Sequence, residues 1–197
     1  MTVRSVLSSA LKATVQGIAL VVAFPLALLC AFGRFSLVFQ TLAQLLAIVP
    51  GLPGDYLRVA YYFLTLRKCS LHSRVSFGSF FAQSSSTMGR GVYVGAYCVL
   101  GACSIGDRTQ IASHVQLASG RHQHVRDVDG RILGAKEDEF KSVLIGHDCW
   151  IGASAIVLAD VGAKTTVGAG AVVTRPMPES VVVVGNPARL LEPQHEI

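Results

Sequence analysis

The sequence predicts a mainly β protein, a parallel β-helix preceded by an α-helical, membrane-associated N-terminal region. Three observations carry this. An apolar residue recurs at six-residue spacing from Met88 to Val173, a charge-free run of twenty residues spans Ala13 to Phe32, and a long polar segment interrupts the sixes after Leu117.

The repeat is explicit. Met88-Gly89, Val94-Gly95 and Leu100-Gly101 step by six; a five-residue step leads to Ile105-Gly106, then Ile111 and Leu117. The register returns at Ile145-Gly146, Ile151-Gly152 and Val157, and a four-residue step leads to Val161-Gly162, Val167-Gly168 and Val173. A helix repeats its apolar face near 3.6 residues and a plain strand at 2, so six fits neither. It fits a chain bent at each sixth residue, with three hexapeptides per coil around a triangular core. The apolar residue then points inward, and the Gly, or a small residue such as Ala112, sits at the turn, where a positive φ is expected. Stacked coils pair their backbones along the axis.

The chain is 51% hydrophobic and 15% charged, with a mean hydropathy of +0.51. The apolar excess lies in the first third. A net charge of +5 suits anionic lipid or anionic small molecules. No basic run interleaved with aromatics occurs, so nucleic acid is not an expected partner. The five cysteines are odd in number and form no CxxC pair, which points to packed, reduced thiols in a cytosol-facing protein.

Residues 1–68 are expected to form the helical membrane-anchoring region. Ala13–Phe32 has the length of a membrane span, with Arg4 and Lys12 before it, Arg34 after it, and Pro25 placed to kink a helix. A cleaved signal peptide fits less well, because the run is long for such a segment and more apolar sequence follows. Phe35 to Val49 is short for a span and carries Gln40 and Gln44. Tyr56 to Leu66, with Arg58, Tyr61 and Tyr62, has the aromatic and basic content of a headgroup layer. Three arrangements stay open: a hairpin, spanning or re-entrant, with both ends cytoplasmic; one span with a surface segment; or a soluble helical trimer interface. The basic residues favour the hairpin.

Residues 69–191 are expected to form the β-helix, starting in degenerate form with Val75, Phe77 and Phe81 filling the first coil. The inserted loop at 119–142 contains Ser119-Gly120-Arg121-His122-Gln123-His124 and a run of charges. A polar loop of this length inside a compact repeat is commonly functional. Pro176 and Pro178 end the register, and 192–197 forms a tail.

The apolar-Gly sixes, Ser-Gly-Arg-His-Gln-His, Asp148-Cys149-Trp150-Ile151-Gly152, Val167-Gly168-Ala169-Gly170-Ala171-Val172-Val173-Thr174 and Gly185-Asn186-Pro187-Ala188-Arg189 together resemble the hexapeptide-repeat acyltransferases over roughly 69–191. The apolar N-terminal region resembles a membrane-associated subset of them found with surface-polysaccharide biosynthesis. The resemblance implies a left-handed β-helix, a homotrimer with active sites between protomers, and acetyl-CoA as acyl-donor substrate, with no metal. The base implied is the His of the Gly-x-His loop, which falls on His122; His124 competes for the role or orients acceptor. Gly152, Ala153, Gly170 and Ala171 match the small residues along which pantetheine lies. Arg175 and Arg189 match positions that meet the phosphates, and Trp150 matches an aromatic near the reacting centre. Where some relatives carry a serine after Trp-Ile-Gly, this chain has Ala153, so only its amide is available there.

A histidine titrates near neutral pH and so suits removal of a proton from an attacking hydroxyl. Main-chain N–H groups can hold the oxyanion. The resemblance, with the apolar N-terminal region, implies transfer of an acetyl group to a hydroxyl of a sugar or lipid-linked saccharide, at the cytoplasmic face of the inner membrane, with membrane lipid as a further partner. The alternatives are N-acetylation of an amino or nucleotide sugar, and a non-catalytic membrane-anchored trimeric scaffold. A γ-type carbonic anhydrase needs two histidines five residues apart; five beyond His147 is Gly152 and five beyond His122 is Asp127. The short step from Val157 to Val161 is expected to alter the groove wall near the CoA site.

Overall fold

The computed structural model describes residues 3–118, 127–134 and 141–191, with side chains from Ala10 onward. Three helices come first: α1 (Val3–Leu29), α2 (Ser36–Ala47) and α3 (Gly51–Thr65). A stack of coils follows, each built from strands of two or three residues. Coil 1 holds β1 (Lys68–Cys69), β2 (Arg74–Val75) and β3 (Phe80–Phe81). Coil 2 holds β4 (Thr87–Met88), β5 (Tyr93–Val94) and β6 (Val99–Leu100). Coil 3 holds β7 (Cys103–Ile105), β8 (Gln110–Ile111) and β9 (Gln116–Leu117). Coil 4 holds β10 (Val143–Ile145), β11 (Trp150–Ile151) and β12 (Ile156–Val157). Coil 5 opens with a bridge at Val161 and continues with β13 (Thr166–Val167) and β14 (Val172–Val173). Coil 6 is partial, with a bridge at Met177 and β15 (Val182–Val184); β16 (Arg189–Leu190) folds back antiparallel on β15. Corresponding strands of successive coils pair in parallel, giving three flat sheets around one core.

The predicted sixes are the core. Val75, Val94, Ile111, Ile151, Val167 and Val183 stack on the second face; Phe81, Leu100, Leu117, Val157 and Val173 stack on the third; all are buried. Each such side chain contributes about 1.5–3 kcal/mol of apolar burial. A second inward position lies two residues earlier and takes small residues. There Ser79 Oγ donates to Gly95 O at 2.5 Å and accepts from Cys98 N at 2.8 Å. Thr109 Oγ1 likewise donates to Gly146 O at 2.7 Å and accepts from Cys149 N at 3.2 Å. These hydroxyls satisfy corner backbone that the ladders leave unpaired. Cys98, Cys103 and Cys149 occupy the same kind of position, buried and unpaired with one another.

The corners correct one expectation. The glycine after the apolar residue does not take the positive φ; it is there because coils approach closely. A Cβ on Gly95 would lie 2.6 Å from Ala112 C, and one on Gly152 2.5 Å from Ala169 N. The left-handed residue comes two positions later and is mostly not glycine. Gly91, Arg108, Asp148, Lys164 and Ser180 form one corner column, and Gly78, Tyr97, His114, Ser154 and Gly170 another. Each non-glycine N–H bonds a carbonyl of the preceding coil, as in Ser154 N to Ser113 O at 3.0 Å and Lys164 N to His147 O at 2.9 Å. These bonds offset a left-handed cost of about 1–2 kcal/mol per residue.

The third corner, between the third and first faces, is irregular. The five-residue step after Leu100, the four-residue steps after Val157 and Val173, and the excursion after Leu117 all fall there. The register survives the excursion, since Cys103 pairs with Val143 and Gln116 with Ile156.

The helices cap coil 1. α3 lies against β1 and β2, and α2 against β3. Arg58 is fully buried. Its Nη1 donates to Leu46 O at 2.9 Å and Val49 O at 2.8 Å, its Nε to Val75 O at 2.9 Å, and its Nη2 to Asp55 at 2.6 Å. One guanidinium thus closes the carbonyl end of α2 and ties α3 to coil 1. Tyr61 and Tyr62 are buried too, with Tyr62 edge-on to Phe81 at 5.0 Å between ring centres. The headgroup-layer reading of Arg58, Tyr61 and Tyr62 is therefore replaced: they are buried between the helical cap and coil 1, where their polar tips find backbone partners on both. Tyr61 OH donates to Phe39 O at 3.0 Å, and Tyr62 OH accepts from Phe81 N at 3.2 Å.

α1 runs unbroken through Pro25 and packs on α3 by a small-residue stripe, with Ala19, Ala23, Ala27 and Cys30 buried. Its other face exposes Val21, Phe24, Leu28 and Leu29. Ala10–Leu29 is long and apolar enough to cross a membrane, by length and composition. α2, at 12 residues, spans about 18 Å, short of a hydrocarbon core of about 30 Å. The α1–α2 turn is pinned to coil 1, where Ser84 Oγ donates to Gly33 O at 2.7 Å.

Candidate active site

The coil geometry brings four of the predicted residues together. β11 delivers Gly152 and Ala153 to the corner between the second and third faces, and the next coil delivers Gly170 and Ala171 to the same corner. Gly152 N donates to Val167 O at 2.7 Å, and Gly170 N donates to Ala153 O at 2.8 Å. Of the four, Ala153 and Gly170 are exposed, while Gly152 and Ala171 are buried. The result is a strip without large side chains, open to a flat or extended ligand. Trp150 begins β11, and its side chain is 60% exposed on the second face beside this strip.

Arg189 lies close to the strip. Ala188 N donates to Val172 O at 2.8 Å, so the turn Gly185–Ala188 folds over Ala171–Val172 and leaves Arg189 at its end. Arg175 follows β14 on the irregular corner, and no described contact joins it to Arg189 or to the strip. The four-residue step from Val157 to Val161 also lies on that irregular corner, across the third face from Gly152 and Gly170. It shortens the side from which the 119–142 excursion leaves, not the small-residue strip. His122 and His124 lie outside the described residues.

Two features escaped the sequence reading. The first is an aromatic column below Ala153 on the same corner. Phe77 and Tyr97 meet edge-on at 5.6 Å, and Tyr97 and His114 tilt together at 5.3 Å. Tyr97 and His114 are exposed, and Phe77, expected to fill the first coil, instead stands half-buried on this corner. Their spacing along the chain, Phe77, Tyr97 and His114, is visible only once the coil length is known. The second is an exposed network on the other regular corner. Arg108 grips Asp148 through two bonds of 2.6 and 2.7 Å, and Asp148 meets His147 Nδ1 at 2.7 Å. The Arg108 guanidinium, and then His147, hold the Asp148 carboxyl well below the usual carboxylate range. Arg108 and Asp148 stand on opposite sides of the excursion, so their adjacency depends on the register it preserves. Among the described residues no three His, Cys, Asp or Glu side chains gather as a metal site.

Solved structures place this architecture. The hexapeptide-repeat-containing acetyltransferase VCA0836 of Vibrio cholerae aligns over 80% of this chain and 91% of its own, with a TM-score of 0.62 and 21% identity. The polySia-specific acetyltransferase NeuO aligns over 61% of this chain and 58% of its own, with a TM-score of 0.50 and 22% identity. The chain has the fold of the hexapeptide-repeat acyltransferases, as its motifs led us to expect. In sequence it is similar to YJL218W of Saccharomyces cerevisiae, provisionally named an acetyltransferase, at 34% identity over 70 residues. That match covers 34% of this chain and 35% of the yeast protein, so the chain matches about a third of its relative's length. No family model matches the chain.

Proposed function

We propose that this protein is a membrane-associated acetyltransferase that moves an acetyl group from acetyl-CoA to a hydroxyl of a sugar or lipid-linked saccharide in surface-polysaccharide biosynthesis. The observation that carries the proposal is the excursion between Leu117 and Val143. It leaves a β-helix whose ladders continue undisturbed on either side, so its polar, histidine-bearing sequence serves something other than the fold. The acetyltransferase names of the structural neighbours and of the yeast relative support the same reaction class.

In this reading His122 takes the proton of the acceptor hydroxyl as it attacks the thioester carbonyl, and CoA leaves as its thiol. His124 is the alternative base. The Gly152–Ala153 and Gly170–Ala171 strip receives pantetheine, the Ala153 amide supports the oxyanion, Arg175 and Arg189 meet the phosphates, and Trp150 covers the reacting centre. Trimerisation would bring the loop of one protomer against the strip of the next. The apolar outer face of α1 holds the enzyme at the cytoplasmic face of the inner membrane, confining it with a lipid-linked acceptor to one plane.

The test is thiol release from acetyl-CoA by detergent-purified protein, with and without a lipid-linked oligosaccharide extract. Release that needs the extract and disappears in His122→Ala supports the proposal. Mass spectrometry of the product separates an ester from an amide. Release surviving His122→Ala but lost in His124→Ala moves the base by two residues. No release with any acceptor, from a folded trimer, would leave the scaffold role.

A further inference from the structure

A cavity of about 310 Å³ lies where the helical cap meets the second face of the β-helix, far along the stack from the small-residue strip. Its lining mixes apolar and polar side chains from both the helices and the β-helix. The helices supply the apolar side chains of Leu52, Val59 and Ala60 together with Tyr56, Gln16 and Asp55, and Leu52 is exposed. The β-helix adds Leu71 and Val92 with the basic or polar His72, Arg74 and Tyr93, and α1 adds Lys12.

The charges do not balance. Asp55, the acidic residue of the lining, is already shared by two arginines: its Oδ1 accepts from Arg58 and its Oδ2 from Arg74 Nε at 2.7 Å. Arg74 therefore has a fixed stem, further held 5.8 Å over the Tyr93 ring, but its side chain stays 54% exposed. Among the described residues its Nη groups have no protein acceptor. Lys12 is exposed and likewise has no acid partner among them. A pre-oriented guanidinium fork beside an ammonium is the arrangement that binds a phosphate monoester. The apolar side chains of α3 beside it, Leu52 foremost, suit a hydrocarbon tail.

We propose that this cavity binds the phosphate headgroup of a single-chain or prenyl-type amphiphile whose tail leaves past the exposed Leu52 of α3. The proposal rests on the membrane association argued above and names a ligand class for the helical region. The shared chemistry is a phosphate; Leu52, Val59 and Ala60 in the lining make the amphiphile, rather than free phosphate, the occupant.

The test is equilibrium binding of radiolabelled decyl phosphate to the full chain in neutral detergent, with inorganic phosphate and decyl glucoside as competitors. One site per chain is expected, resisted by either competitor, with binding weakened about tenfold or more in Lys12→Gln and in Arg74→Gln. Lys12→Gln changes an exposed residue and so keeps the test valid if Arg74→Gln unfolds. Equal binding by wild type and Lys12→Gln, or displacement by decyl glucoside, would overturn the site. Displacement by equimolar inorganic phosphate would assign it to free phosphate and overturn the amphiphile. Flotation with neutral vesicles, run in parallel, tests membrane association separately: flotation without decyl phosphate binding removes the site alone, and binding without flotation removes the membrane reading alone.

Discussion

At the scale of single residues, the corners separate two demands that sequence merges. Gly152 is needed for room, since a Cβ there would meet the Ala169 backbone. Lys164 takes the left-handed turn with a side chain present. Gly152→Ala should therefore cost about 1–3 kcal/mol by overpacking, whereas Lys164→Gly should change stability by no more than about 0.5 kcal/mol, relief of strain offsetting lost chain restriction. Chemical denaturation of both variants checks the contrast. Arg58→Leu would leave Asp55 with Arg74 alone and remove the buried donor from the carbonyls of Val49 and Val75, and should cost about 3–5 kcal/mol, seen as a large drop in midpoint. Burial pushes the Cys103 thiol up to about 12. In the unfolded chain it titrates near about 8.5, so its contribution is full below that pH and is lost as pH rises toward the folded value. The melting temperature of wild type should fall more steeply above pH 9 than that of Cys103→Ala. The inward sixes were legible because apolar burial has a period. The left-handed columns were not, because nothing in Tyr97, Arg108 or Lys164 marks that backbone.

At the scale of elements, one corner absorbs every irregularity. Leu117-Ala118 resumes at Ser142-Val143, and the equivalent corner one coil earlier is closed by Leu100-Gly101-Ala102-Cys103. Deleting 119–141 reproduces that spacing. The shortened protein should melt within a few degrees of wild type, since loop closure changes slowly with length, and should lose all thiol release from acetyl-CoA. Circular dichroism and the release assay decide. The interruption was plain in the sequence as a loss of period, but its location on a single edge was not. A step of five, a step of four and a long insertion look unrelated until the coils are stacked. The same holds for Arg108 and Asp148, whose contact crosses the insertion. The helical segments were legible in composition and misleading in role: Tyr61, Tyr62 and Arg58 look interfacial by type, but backbone partners on α2, in the turn after it and on coil 1 hold them inside.

At the scale of the whole molecule, the exposed apolar surface is concentrated on α1 and the α1–α2 turn, with Val21, Phe24, Leu28, Phe32 and Phe35 outward. Val21→Gln with Leu28→Gln should reduce flotation with neutral vesicles while leaving the melting temperature nearly unchanged, because neither side chain is part of the buried stripe. Both ends of the β-helix are covered. α2 and α3 lie over coil 1, and β16 runs antiparallel across β15 at the far end. Open coil ends would present rows of unpaired amides and carbonyls, each a template for the next chain. The Arg58 plug thus does for the first end what an endcap does for a polymer, and at the far end the reversed last strand breaks the parallel register that a further coil would need.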